Sequence, residues 1–165
     1  MRKTLAAVIT ATTAAATISG VGLASASTTS ARPATPVEHF QIMSTSSTAS
    51  TNSLVAWGAF AGGGTDIVHA NGSETYRFAN GSFVVVPTPG SVKSFTDSKT
   101  CFSRVMVQGT YVISQGTGKF AGITGSGTAR VSLLSAEPRV NGACSATAAP
   151  TSFQELVQLS GPFSM

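Results

Sequence analysis

Few residues of this chain can do acid–base chemistry, and their spacing is that of β-strands. Glu155 is in step with Phe153, Val157 and Leu159, so on a strand all four share one face. If that face turns inward, a carboxyl points into an apolar cavity and burial raises its pKa, as a general acid requires. A bulge or strand end would instead leave Glu155 in water. Glu74 and Tyr76 stand in the same relation to Phe78, and Tyr111 shares parity with Val105 and Val107. A tyrosine on an apolar face also serves as a core residue with a bonded hydroxyl. Glu155, Tyr111, Tyr76 and Glu74 are therefore the candidates for lining an interior, and none is assigned a catalytic role.

Other chemistries find no support. A hydrolytic triad needs a base beside its nucleophile, and the two histidines, His39 and His69, stand near the N-terminal edge and beside a turn. No metal site is expected: Cys101 and Cys144 lack paired CxxC spacing and the histidines are isolated. The glycine-rich run Gly116–Gly127 resembles a nucleotide loop only superficially. A P-loop requires Ser or Thr after its lysine and then a helix, whereas Phe120 follows Lys119 and a strand pattern comes next. Gly125-Ser126-Gly127 likewise lacks the flanking residues of a nucleophile elbow. The run reads as a connection folded over one end of a β-structure, with Phe120 and Ile123 plugging it. No cofactor is expected.

The elements that would position these residues begin after an export signal. Arg2 and Lys3 precede an Ala-rich apolar stretch from Leu5 to about Leu23, and Ala24-Ser25-Ala26 offers a small-x-small cleavage pattern. Threonines, serines and glycines dilute the stretch too far for a permanent membrane span. The expected organisation is a signal over 1–26, a Ser/Thr/Ala/Pro-rich lead-in over 27–36, and one domain over 37–165. The formal charge of +4 then falls to +2, because Arg2 and Lys3 leave with the signal. The remaining positives are scattered, which disfavours nucleic acid as a partner. A secreted location makes a single Cys101–Cys144 disulfide the natural pairing. Closing a loop of about 43 residues is worth about 4 kcal/mol in the chain-entropy account.

From Val37 onward, strand patterns follow one another. Residues 37–43 put Phe40 and Ile42 on one face, and 53–60 are apolar throughout with a bend at Gly58. Residues 65–70, 73–79 and 82–87 read as a meander, with Asn71-Gly72 and Asn80-Gly81 as hairpin turns. Longer strands are expected at about 101–114, with a bend at Gly109, then at 128–135 and 153–163, with a polar loop over 136–151. No amphipathic helix of ordinary length is present. Such a pattern suits a closed antiparallel barrel or a two-sheet sandwich. Bends inside good strands favour the barrel, and Trp57 precedes both cysteines, unlike the order in immunoglobulin domains.

The segment Tyr111-Val-Ile-Ser-Gln-Gly-Thr-Gly-Lys-Phe-Ala-Gly-Ile-Thr-Gly-Ser-Gly127 resembles the strand–GxGxF–strand segment of plant allene oxide cyclases and dirigent proteins. It is closer to small secreted bacterial proteins, mostly actinobacterial, classed as allene oxide cyclase-like barrels. Gly109, Tyr111, Gly116–Gly122 and Gly125 carry the match, and Trp57–Gly64, Asn80-Gly-Ser-Phe and the cysteine pair accompany it. The specific motif covers about 109–128, and the order of elements about 40–163. The resemblance implies an all-β, calycin-like barrel of eight antiparallel strands around a central cavity. Plant members cyclise an epoxide or steer the coupling of phenoxy radicals. The matched motif is architectural and transfers no catalytic residue.

Three functions remain open. The first is a secreted, extracellular barrel that binds a small apolar molecule in its lumen, with no membrane insertion once the signal is removed. The second is an isomerase or cyclase that uses a preorganised cavity with few ionisable groups. The third is a structural or interaction protein with a filled barrel. An eight-stranded barrel has room either for packed side chains or for one small ligand, and the sequence leaves its oligomeric state open.

Overall fold

A computed structural model describes residues 34–145 and 147–165. The expected signal over 1–26 and most of the lead-in lie outside the described residues. The strands are β1 (Val37–Ser44), β2 (Thr51–Trp57), β3 (Gly62–Val68), β4 (Glu74–Phe78), β5 (Gly81–Asp97), β6 (Phe102–Ser114), β7 (Thr124–Ala136), β8 (Arg139–Val140), β9 (Ala143–Cys144) and β10 (Ser152–Ser164). Eight of them close into an antiparallel barrel in the order β1-β10-β7-β6-β5-β4-β3-β2. This is the expected fold, and it removes the sandwich alternative. Closure leaves no barrel strand with an unpaired edge along its whole length.

Alternation decides which side chains enter the barrel. Phe40 and Ile42 on β1, Leu54 and Ala56 on β2, Tyr76 on β4, Phe83 and Val85 on β5, and Tyr111 and Ile113 on β6 are buried in one apolar cluster. Leu159 and Phe163 on β10 complete it, with Phe120 and Ile123 from the glycine-rich connection. That connection forms a single 3-10 turn, Gly118–Phe120. Backbone bonds from Thr117 N to Ser82 O (2.7 Å) and Lys119 N to Asn80 O (2.8 Å) hold it over the β4–β5 hairpin. Phe120 then sits 5.1 Å from Phe60, 5.2 Å from Phe83 and 5.5 Å from Phe78, ring centre to ring centre.

Three local expectations need correction. β5 runs for 17 residues rather than ending at 87. It continues through a register shift between Pro89 and Ser91, opposite the bend at Gly109, because a bulge lets a strand change direction without losing its partner. The Gly58 bend lies just beyond β2 rather than inside it; its φ of +133° suits only glycine, and a Cβ there would overlap the Val37 carbonyl. Asn71 and Asn80 do not take the positive φ expected of paired Asn-Gly turns. The pair that does is Asn141-Gly142, at φ +53° and +82°, in the segment read as a polar loop. It joins β8 to β9 in a small separate hairpin, as a two-residue turn of this type favours.

That hairpin is tied to the far end of the long β5–β6 arm. The Cys101–Cys144 disulfide joins them across a sequence separation of 43. Arg139 adds Nη1 donation to the Gly142 carbonyl at 2.9 Å and Nη2 donation to the carbonyls of Ser98 and Lys99. Asp97 shapes the turn by accepting from Lys99 N (2.9 Å) and Thr100 Oγ1 (2.8 Å).

Candidate functional site

The short strands β2, β3 and β4 end at a rim that β5, β6, β7 and β10 overshoot. Register places Val105, Leu133, Glu155 and Ser44 side by side on neighbouring strands at that rim. One step deeper come Val107, Val131, Val157 and Ile42. Ser103, Ser135 and Phe153 stand beyond the rim. Val105, Val107, Val131, Leu133 and Phe153 turn inward yet are only half-buried, and none belongs to the packed apolar cluster. The core therefore fills the end near Phe120, and an apolar wall of β6, β7 and β10 remains partly exposed at the mouth.

Opposite that wall the inner face is acidic. Asp66 on β3 pairs in register with Asn52 on β2 and Tyr76 on β4, so all three point inward together. Asn52 donates Nδ2–H to Asp66 Oδ2 at 2.9 Å, and the Tyr76 hydroxyl donates to Glu74 Oε2 at 3.1 Å. Asp66 is 2% exposed and Tyr76 fully buried, whereas Glu74 and Glu155 are half-buried. Asp66 Oδ1 and Asn52 Oδ1 are buried without a hydrogen-bond partner.

Electrostatics follow from this crowding of carboxyls. Burial first, then the Asp66 charge, push the Glu74 pKa up to about 7; the Tyr76 hydrogen bond opposes the rise and Glu155 adds to it. Glu155 is raised by burial and by Asp66. Asp66 is raised by burial, against its bond from Asn52 and the nearby His69. Burial and the neighbouring Glu74 keep the Tyr76 phenol firmly protonated. Tyr111, also buried, is pushed up to about 12 by burial and by the charge of Glu38. Every lysine and arginine among the described residues is exposed, so no cation inside the barrel neutralises these acids.

All four candidates from the sequence face the interior. Glu155 sits at the rim rather than in bulk water, and Glu74 and Tyr76 are hydrogen-bonded to one another. Tyr111 lies between them and Glu38, close enough to interact with both Tyr76 and Glu38. Glu38 itself was missed, although its parity with Phe40 and Ile42 is the argument that singled out Glu155. It is fully buried; its Oε2 accepts from Phe60 N at 3.1 Å while Oε1 has no partner. Asp66 was missed because Gly62-Gly63-Gly64, the first half of β3, shows no alternation. Asn52 was missed because an amide carries no titration signal.

Among the described residues no three acidic, histidine or cysteine side chains converge on a metal-sized site. His39 lies outside the barrel, stacked on Trp57 at 5.3 Å and 11°, on a surface groove of about 310 Å³ that Arg130 and Gln158 also line. His69 bonds Thr75 Oγ1 through Nε2 at 2.8 Å on the exposed β3–β4 side. Among the described residues no helix is long and apolar enough to cross a membrane. No protein-family model matches the chain, and neither the curated proteins nor the solved structures contain a significant match.

Proposed function

We propose that this chain is a secreted β-barrel that binds a small, largely apolar molecule in the mouth half of its lumen. One observation carries the reading. The inward faces of β6, β7 and β10 present valine, leucine and phenylalanine side chains that stay partly exposed outside the packed core, facing buried acceptors that no donor satisfies. A barrel filled for stability alone would bury the first and lack the second, because an unpartnered buried acceptor costs about 1–3 kcal/mol. An apolar pocket with a few convergent polar groups is the usual form of a small-molecule site. The disulfide supports an oxidising, extracellular setting, and the Gly116–Gly122 motif supports kinship with allene oxide cyclase-like barrels.

Native mass spectrometry of the protein recovered from the medium of its own producing cells tests this reading. A bound small molecule, lost when Leu133 and Val157 are enlarged to Phe, is the expected result. A spectrum of the bare chain alone contradicts it.

A second reading is favoured by one specific pair. Glu74 titrates near neutrality and shares a hydrogen bond with the Tyr76 phenol, an arrangement able to protonate an oxygen of a bound substrate. In an isomerase or cyclase of this kind, Glu74→Gln would abolish turnover while leaving ligand affinity within about twofold. Equal turnover in wild type and variant would remove the acid role from Glu74.

A further inference from the structure

The orphaned polar atoms of the interior are all of one kind. Glu38 Oε1, Asn52 Oδ1 and Asp66 Oδ1 are acceptors, and no unpartnered side-chain donor accompanies them among the described residues. Asn52 cannot be reversed to supply one, because its Nδ2 already donates to Asp66 Oδ2. At the mouth the bare atoms are Asn52 Oδ1 and Asp66 Oδ1, with no lysine or arginine beside them, and a ligand that fits there supplies donors and positive charge.

Resting on the lumen reading, we propose that the ligand's polar end is a protonated amine, seated between Asp66, Glu74 and Glu155 with its apolar body against Val131 and Leu133. Two features support this. The first is the three carboxyls from β3, β4 and β10, close enough that Glu74 feels the charges of Asp66 and Glu155, and Glu155 that of Asp66. The second is Asp66 itself, 98% removed from solvent with one oxygen left bare. An ammonium group supplies three rotatable donors and one positive charge, which suits acceptors spread over several strands. A bare divalent ion needs a tighter convergence of oxygens than these side chains make. Inside a low-dielectric barrel the attraction of one cation to several carboxylates is larger than in water.

The proposal carries its own proton signature. The groups facing the amine are Asp66 on β3, Glu74 and Tyr76 on β4, and Glu155 on β10, with His69 at the rim beside Asp66 and Tyr111 across the lumen. Glu74 holds a proton about half the time near pH 7, and a bound cation lowers its pKa, so binding releases that proton. A neutral ligand that accepts a hydrogen bond from protonated Glu74 would instead hold the proton in place.

Isothermal calorimetry on the intact mature chain distinguishes these outcomes. The probes are a graded series of primary arylalkylamines and the matched alcohols, each titrated at about pH 7 in phosphate and in HEPES. The amines are expected to bind at least about tenfold more tightly than the alcohols, with a buffer-dependent heat that reports proton release. Their affinity should fall as pH drops from about 7 to 5, and Asp66→Asn and Glu155→Gln should each weaken the amine by about tenfold and leave the alcohol unchanged. The wild-type buffer comparison stands even if a variant fails to fold. Alcohols that bind as tightly as amines, without proton release, overturn the amine proposal and leave the lumen reading intact. Heats that are absent for both series, with water filling the mouth, overturn the lumen reading itself.

Discussion

Glu74 shows how a single side chain changes character when a strand turns it inward. Its alternation with Tyr76 and Phe78 is visible in the sequence, but the size of its pKa rise is not, because that depends on Asp66 and Glu155 arriving from strands far away in the chain. A carboxyl whose folded pKa is raised binds protons more readily folded than unfolded, so its stabilising contribution is complete below the unfolded value and is lost as pH rises through the folded one. For Glu74 that window runs from about 4.5 to about 7. Glu74→Gln is expected to stabilise the protein at pH 8 by about 3 kcal/mol at most, and to leave it nearly unchanged at pH 4, as read by urea unfolding at both values. A variant no more stable than wild type at pH 8 would place Glu74 in solvent. The same logic explains the residues that sequence reading overlooked: Glu38 had the right parity, whereas Asp66 follows the run Gly62-Gly63-Gly64, which carries no face.

At the scale of elements, the glycine-rich turn and the disulfide act at opposite ends of the barrel. The turn places Phe120 in contact with three other phenylalanines, and the residue is 3% exposed. Phe120→Ala should therefore cost about 3–5 kcal/mol, measured by chemical denaturation; a loss under about 1 kcal/mol would mean the turn lies loosely on the surface. The disulfide braces the β5–β6 arm against the β8–β9 hairpin, beyond the rim. Replacing Cys101 and Cys144 together by Ala should lower stability by about 4 kcal/mol while the far-ultraviolet spectrum of the barrel persists. The antiparallel barrel and Phe120's burial were legible because alternation and glycine-rich connections are local signals. The full length of β5 was not, because Pro87, Pro89 and Gly90 read as a stop. In the fold they mark the bulge at which β5 leaves the closed barrel and continues as an arm.

Among the described residues the molecule separates its charges, with Glu38, Asp66, Glu74 and Glu155 inside, Asp97 and Glu137 outside the barrel, and every lysine and arginine exposed. Glu38, Asp66, Glu74 and Glu155 all have raised pKa values, with burial as the first cause in each. Each loses its stabilising contribution as pH rises through its folded value, so the chain should be more stable at about pH 5 than at about pH 8. Thermal unfolding across that range checks the sign, and a melting temperature that rises with pH would contradict it. A protein that tolerates such an interior gains nothing in stability from it, which is why these groups point to function. The central claim, that the mouth half of the lumen holds the ligand, is tested most directly by nuclear Overhauser contacts from a bound arylalkylamine to labelled methyl groups. The account requires contacts to Val105, Val131, Leu133 and Val157 on the inner wall. Contacts confined to outward methyls such as Met106 and Val112 would place the ligand on the outer surface and contradict it.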